Sequence, residues 1–170
     1  DSGARMRIFP NLKKNRFFWK VKLFLKRLIG RELWLKKETI LRTLILGDWE
    51  YCPDYIDENS IIYSLGVGDS IVFDNELIQA HGCRVHAFDP TPFSVNWISN
   101  QGASSKLLFH PWAVSNLDGK MRMIQRENKK GKKSDVMWTE IPSHSNYDNS
   151  IEVPVFSVTS IMKKLNHTSI

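Results

Sequence analysis

Cysteine is scarce in this 170-residue chain, and the two cysteines form no metal-binding motif. Cys52 and Cys83 lie far apart in the sequence, and neither belongs to a C-x-x-C pair or a histidine-rich stretch. Zinc sites depend on such spacing, so no metal site is predicted. Cys83 leads into a predicted buried strand, which favours a reduced, cytoplasmic protein, although a structural disulfide stays open.

A long uninterrupted apolar segment is also lacking. Residues 16–29 come nearest, with apolar side chains at helical spacing, but Lys and Arg occupy much of the rest. These charges are too frequent for a bilayer-spanning helix or a signal peptide. The pattern predicts an amphipathic helix ended by Gly30. Either it makes a peripheral, membrane-associated contact with an anionic surface, or it covers the sheet or a neighbouring subunit of a homo-oligomer; we favour the second interpretation.

Acidic residues are almost absent from the N-terminal part. Residues 5–37 contain twelve Lys or Arg and a single acid, Glu32, which gives a formal charge of +11. Because the whole chain carries only +6, the remainder carries −5. Basicity therefore belongs to this part alone, and no nucleic-acid partner is predicted. We divide the chain into a basic N-terminal arm, residues 1–46, and a domain over residues 47–170.

What the sequence does contain is a strand, a glycine turn, a helix and a second strand. Residues 61–70 run from an apolar strand into a turn with Gly66 and Gly68, and residues 85–90 include a second strand that ends at Asp89. Doubly wound α/β proteins bind an adenosine with this unit. The glycines let the backbone approach a ligand closely. The carboxylate is placed to accept both ribose hydroxyls.

The glycine turn is unfavourable for a pyrophosphate. A dinucleotide-binding turn has the pattern G-x-G-x-x-G, and here Ile71 replaces the third glycine. Asp69 adds a negative charge at the helix N-terminus, and two like charges about 4 Å apart repel by roughly 4 kcal/mol at an effective dielectric constant of ~20. The same carboxylate favours a cation such as S-adenosylmethionine. A NAD-type oxidoreductase and a non-catalytic binding module remain as alternatives.

Further elements follow from periodicity. Strands that alternate with helices predict an α/β fold with a parallel sheet. The apolar runs within residues 33–51 fit either strands or a helix. The predicted elements are strands 61–66, 83–88, 106–110, 121–124 and 153–156, a helix over 71–81, a helix between its cap Thr91 and Gly102, and a helix that begins at Ser157.

These residues resemble the FkbM-type methyltransferases. The likeness lies in residues 59–69 with Phe73-Asp74 and, most specifically, in residues 88–92, and it covers most of residues 47–165. It implies a Rossmann-like S-adenosylmethionine-dependent O-methyltransferase that acts on a small-molecule or glycan hydroxyl. Ser70 stands where the family usually has a second acid.

Ligands of open parallel sheets bind beyond the carboxyl ends of the strands. The first end is expected to hold the amino acid part of the cofactor, the second the ribose and the third the adenine. Trp49 and Trp112 each have two interpretations, as a wall of the pocket or as a core aromatic. No catalytic residue is named: His86 is expected in the core, and His110 is a candidate base. The predicted cofactor-binding residues are Ser64, Gly66, Gly68, Asp69, Ser70, Asp89, Pro90, Thr91, Trp112 and Ala113.

The family likeness also implies a further core strand after Ile170. Without it the first strand of the sheet has an unpaired side. The sheet is therefore predicted to be incomplete at the C-terminus, and the chain as given is expected to be inactive.

Overall fold

The computed structural model describes residues 16–34, 40–128, 131–142 and 149–170. The first 15 residues of the predicted basic arm lie outside this part. The chain divides into two compact units, residues 1–41 and 42–170. The elements are α1 (Arg16–Leu28), β1 (Leu44–Leu46), β2 (Trp49–Tyr51), β3 (Ile61–Leu65), α2 (Val72–His81), β4 (Arg84–Phe88), α3 (Pro92–Ile98), β5 (Leu107–His110), β6 (Ala113–Ser115), β7 (Gly119–Glu127), β8 (Lys133–Glu140), β9 (Ile151–Ser157) and α4 (Val158–Leu165).

In the first unit, α1 agrees with the predicted helix. Gly30 follows it with a φ of +69°, and the Arg31 N–H bonds to the Lys26 carbonyl, as at a glycine C-cap. None of the helices in the described part of the chain has both the length and the apolar character needed to cross a bilayer.

The second unit is a mixed α/β structure with one parallel sheet. Strands β3, β4 and β5 pair in that order, and both pairs are parallel. A second, mixed sheet has the order β6-β9-β7-β8, in which only the β6–β9 pair is parallel. Strands β1 and β2 form a short antiparallel hairpin. The predicted alternation of parallel strands with helices is confirmed for residues 61–110.

The central strand β4 is buried from Val85 to Phe88, although Arg84 and His86 interrupt its apolar sequence. Val85 and Ala87 are fully buried and belong to one core cluster with Leu77 of α2 and Ile98 of α3. Cys83 lies in the same cluster, and both cysteines of the chain are free thiols.

A continuous apolar run, which predicts burial on both faces, occurs instead in β3. There the prediction is wrong, because β3 is the outer strand of its sheet and Leu65 is 57% exposed.

Helix α3 starts as predicted but ends early. Its N-cap is Thr91, whose side chain accepts a hydrogen bond from the Ser94 N–H, and Pro92 is its first residue. It ends at Ile98 instead of continuing toward Gly102. The reason is a tightened turn, because the N–H groups of Asn100 and Gln101 bond to carbonyls three residues back.

Two regions differ more strongly from the sequence-based expectation. Residues 33–51 contain the β1–β2 hairpin, whose turn uses Gly47 at a φ of +53°. The predicted strand at 121–124 is part of the longer β7, and its partner β8 was not predicted at all. Strand β8 is mostly polar, so it lacks the apolar pattern by which a strand is recognised in a sequence. It forms because it pairs with β7.

Helix α4 agrees with the prediction at its start. The Ser157 hydroxyl caps it by accepting the Ser160 N–H at 3.2 Å, and Asn166 ends it in a left-handed conformation. Its one fully buried side chain among the described residues is Ile161, with 0% exposure.

We expect Ile161→Ala to lower the free energy of unfolding by about 3 kcal/mol, because it leaves a cavity beneath α4. Ile170→Ala is the matched control, since Ile170 is 55% exposed and its truncation should change stability little. Urea denaturation measures both. Equal losses for the two variants would contradict the placement of α4 against the core.

Candidate functional site

The carboxyl end of β3 opens onto two cavities that share Leu65 and Gly66. Cavity A, about 690 Å³, lies between the β1–β2 turn, the end of β3 and the start of α2. Cavity B, about 410 Å³, lies between the ends of β4 and β5 and the β7–β8 hairpin. Of the predicted cofactor-binding residues, cavity A is lined by Ser64, Gly66, Asp69 and Ser70, and cavity B by Gly66, Asp89, Pro90, Thr91, Trp112 and Ala113.

Cavity A is acidic. Asp48, Asp69 and Asp74 all line it, and none of its described lining residues is basic. Asp74 is 5% exposed. Burial raises the pKa of its carboxyl, and a hydrogen bond with the Ser64 hydroxyl partly offsets this rise. Carboxyl groups gathered in one concavity favour a positively charged ligand group.

Trp49 belongs to the wall of cavity A and is 66% exposed. Its interpretation as a core aromatic is therefore wrong, because the short β1–β2 hairpin leaves its ring at the surface. Asp48, in the same turn, is a lining residue that sequence analysis missed. The turn signal Gly47-Asp48-Trp49 was visible in the sequence, but nothing local indicated which surface it would face.

Asp89 is buried, and its carboxylate is fully occupied by donors from the protein. One oxygen, Oδ2, accepts the backbone N–H groups of Val67 and Gly68, both at 3.0 Å. The other, Oδ1, accepts the Thr91 N–H at 2.9 Å and the Thr91 hydroxyl at 2.6 Å. A carboxylate has about four acceptor positions. A ribose hydroxyl would therefore have to share or replace one of these bonds.

The two glycines of the turn have different surroundings. Gly66 has a φ of +86°, and a Cβ added there would meet nothing within 4 Å. Gly68 has a φ of +57°, and its Cβ would lie 3.2 Å from Cγ1 of Val136 on β8. Its carbonyl accepts the Ser94 hydroxyl at 3.0 Å. Gly66 is thus the open position between the cavities, whereas Gly68 packs against the protein and lines neither.

Trp112 forms part of the wall of cavity B and also packs against other aromatic rings, so both predicted interpretations apply to it. Its ring lines cavity B, and its centroid lies 4.7 Å from that of His110 and 5.2 Å from that of Phe156. The β7–β8 hairpin supplies the other wall of cavity B, including Met121, Met123, Arg126, Met137 and Trp138. Met137 and Trp138 were missed because β8 was not predicted. The others lie on β7, where a strand was predicted over residues 121–124 but nothing local indicated that it would face this cavity.

Histidines gather on the face of β4 that carries His86 and Phe88. Nδ1 of His86 lies 2.9 Å from Nε2 of His110, and the Tyr63 hydroxyl lies 2.8 Å from Nδ1 of His167. Burial, followed by the positive charges of nearby histidines, lowers the pKa of His86 from 6.5 to about 4 and also lowers the pKa of His110. His86 is a buried core histidine, as expected.

The candidate base His110 lines neither cavity A nor cavity B. In the part of the chain that the structure describes, no group of three or more His, Cys, Asp or Glu side chains could hold a metal ion.

Comparison with known proteins provides no assignment: no protein-family model, curated protein or solved structure matches this chain.

We expect Asp89→Asn to lower the free energy of unfolding by about 3 kcal/mol or more, since hydrogen bonds to a charged group contribute about 1.5–3 kcal/mol each. The amide would turn a donor toward groups that are themselves donors. Asp54→Asn is a matched control, because Asp54 is an exposed side chain 3.9 Å from Arg42. Chemical denaturation of both variants measures the difference, and equal midpoints would show that the four bonds do not hold the turn.

The histidine cluster predicts an acid-sensitive fold. The pKa of His86 is lower in the folded chain (about 4) than its ordinary value of 6.5, so the unfolded chain binds the proton first. Stability is complete above about pH 6.5 and falls toward pH 4, with a loss of about 2 kcal/mol from this group at pH 5. His110 adds to this loss in the same direction.

The test is chemical denaturation at about pH 7.5 and pH 5, compared with His86→Asn. The asparagine amide can replace Nδ1 as the partner of His110, and it does not titrate. The variant should lose less stability than the original chain between the two pH values. An unchanged pH dependence would contradict the assignment.

Proposed function

We propose that this protein is an S-adenosylmethionine-dependent methyltransferase on a Rossmann-like sheet, acting on a hydroxyl of a small molecule or a glycan. The observation that carries the proposal is the pair of cavities that adjoin at the open Gly66. One cavity is acidic and the other is largely apolar and aromatic. A ligand with a cationic end and a nucleoside end matches this division.

The cationic end is assigned to cavity A. S-adenosylmethionine carries an ammonium and a sulfonium group, and Asp48, Asp69 and Asp74 supply negative charge around this space. Ser64 and Ser70 add hydroxyl groups at the end of β3 and at the start of α2. Residues that line one compact space from three different segments hold a flexible ligand in one orientation.

The nucleoside end is assigned to cavity B. Trp112, Met121 and Met123 line it, and an aromatic ring with flexible thioethers suits the flat faces of adenine. Asp89 and Thr91 lie at its edge, where the ribose is expected. The proposal requires a ribose hydroxyl to share the Asp89 carboxylate with the N–H groups of Val67 and Gly68, or to replace one of them.

The bound cofactor would supply an electrophilic methyl group for an in-line displacement. Much of the acceleration in such a reaction comes from holding the nucleophile and the methyl group in line. In this chain the rigid parts that would do so are the end of β3 and the turn that Asp89 fixes.

Dinucleotide binding is the competing function. Ile71, in the third glycine position, is 5% exposed and immediately precedes α2. Its side chain occupies the core where the motif requires a close approach of helix and strand. Asp69 lines the cavity in which a pyrophosphate would have to lie.

Calorimetric titration of the full chain with S-adenosylhomocysteine and, separately, with NAD tests the proposal. We expect saturable heat with S-adenosylhomocysteine and none with NAD. Saturable heat with NAD alone would establish the competing function, and no heat with either would contradict an adenosine site in this chain.

Gly66 provides a sharper test. We expect Gly66→Ala to weaken S-adenosylhomocysteine binding at least tenfold, since the new methyl group would stand between the cavities and interfere with close approach of the ligand. Gly131→Ala is the matched control, because Gly131 has a φ of +73° and open space around it, yet lines neither cavity. Both variants carry similar backbone strain, of about 1 kcal/mol. Equal affinities in the two variants would remove Gly66 from the site.

A further inference from the structure

Helix α1 has an apolar face that is exposed along its length. Phe17, Val21, Phe24, Leu25 and Leu28 share less than half of the helix circumference, and each is 42% or more exposed. The apolar surface continues beyond the helix, because the Trp34 ring packs edge-on against Phe24 with centroids 5.9 Å apart. An exposed apolar surface of this kind marks an interaction site.

The other side of the same helix is basic. Lys20, Lys22, Lys26 and Arg27 lie outside the apolar arc, and residues 16–34 have a formal charge of +5. Their single acid, Glu32, is paired with Lys26 at 3.0 Å. The negative charge is thus compensated within the segment, and the remaining cations have no acidic side chain in residues 16–34 to pair with.

Aromatic and basic groups are also adjacent. The Lys22 ammonium lies 4.5 Å from the centroid of the Trp19 ring, and the Arg27 guanidinium lies 5.5 Å from that of Trp34. Tryptophan is enriched at the level of lipid head groups, where its ring is half in an apolar and half in a polar medium. Trp34, packed on Phe24 of the apolar face, adjoins this level, whereas Trp19 lies on the basic side of the helix. Long basic side chains reach past apolar surface to keep their charge in water.

We propose, against the interpretation favoured from the sequence alone, that α1, together with Leu33 and Trp34, binds peripherally to the surface of an anionic lipid bilayer. Charge complementarity selects this occupant, because a basic face beside an exposed apolar face matches a negatively charged interface over an acyl interior. The helix is about 20 Å long and lies in the plane of the interface. This inference is independent of the proposed methyl transfer.

The first experiment uses the full chain and vesicles of phosphatidylcholine, either pure or with about 30% phosphatidylserine. We expect co-flotation with the anionic vesicles, at least tenfold weaker binding to the neutral ones, and release at high salt. Equal binding to both compositions would overturn the electrostatic part of the proposal. Absence of binding to either would overturn all of it.

The second experiment compares Leu25→Glu with Leu23→Glu. Both variants make the same chemical change on the same helix, but Leu25 lies on the apolar face and Leu23 among the basic residues. We expect Leu25→Glu to weaken vesicle binding at least tenfold more than Leu23→Glu does. Equal effects would show that the apolar face is not the part that contacts lipid.

The same variants also show whether the apolar face of α1 contacts a bilayer or a second copy of the chain. Thermal unfolding and circular dichroism check that each variant is folded. One outcome would contradict the proposal: the original chain self-associates and does not bind vesicles, and Leu25→Glu abolishes the self-association. The apolar face would then be an interface between copies of the chain. If the original chain binds vesicles as a monomer, self-association is not what the face serves.

The basic residues give an independent readout that leaves the apolar face intact. We expect Lys20→Ala with Lys22→Ala to weaken binding to anionic vesicles about fivefold per residue removed, with no change on neutral vesicles. The same loss on both compositions would indicate damage to the helix rather than loss of charge.

Discussion

The Asp89 carboxylate is the group on which the geometry of the candidate site depends. It joins the turn after β3 to the end of β4 and to the start of α3, by accepting two N–H groups from the turn and two donors from Thr91. The same Thr91 side chain caps α3. A carboxylate as buried as this one would be costly without such partners. Its charge therefore fixes three chain segments at once. The turn after β3 borders both cavities, and the end of β4 and the start of α3 border cavity B.

This arrangement has a consequence for any ligand. The turn is held by the same oxygen atoms that the proposed function would use for a ribose. A hydroxyl that takes one acceptor position must share it with, or displace, an N–H of Val67 or Gly68 or a donor of Thr91, and Gly68 is in turn tied to Ser94 and packed beneath Val136. Occupation of cavity B would then be coupled to the turn that forms part of cavity A. Displacement of the N–H of Val67 or Gly68 would loosen this turn, so the ribose end of a ligand would act on cavity A through Asp89.

Much of the parallel sheet could be predicted from the sequence, because each signal was local. Apolar runs marked β3, β4 and β5, Thr91 with Pro92 marked the start of α3, and Ser157 marked that of α4. The missing parts depended on long-range pairing. Strand β8 is recognisable only through its ladder with β7, and the role of Asp48 only through the position of the β1–β2 hairpin. The difference between Gly66 and Gly68 likewise arises from Val136, which lies some 70 residues away in the sequence.

The uneven distribution of charge ties the two proposals to one physical pattern. In cavity A, three carboxyl groups surround a space with no basic described neighbour, so a ligand loses stabilisation there when it loses positive charge. In the proposed reaction a cationic sulfonium becomes a neutral thioether, so the cavity would hold the substrate cofactor more tightly than its product. Helix α1 carries positive charge instead. Glu32, the single acid in residues 16–34, pairs with Lys26, and the other cations have no acidic partner within this segment. Each uncompensated set of charges repels itself, so a partner of opposite charge would stabilise each of them.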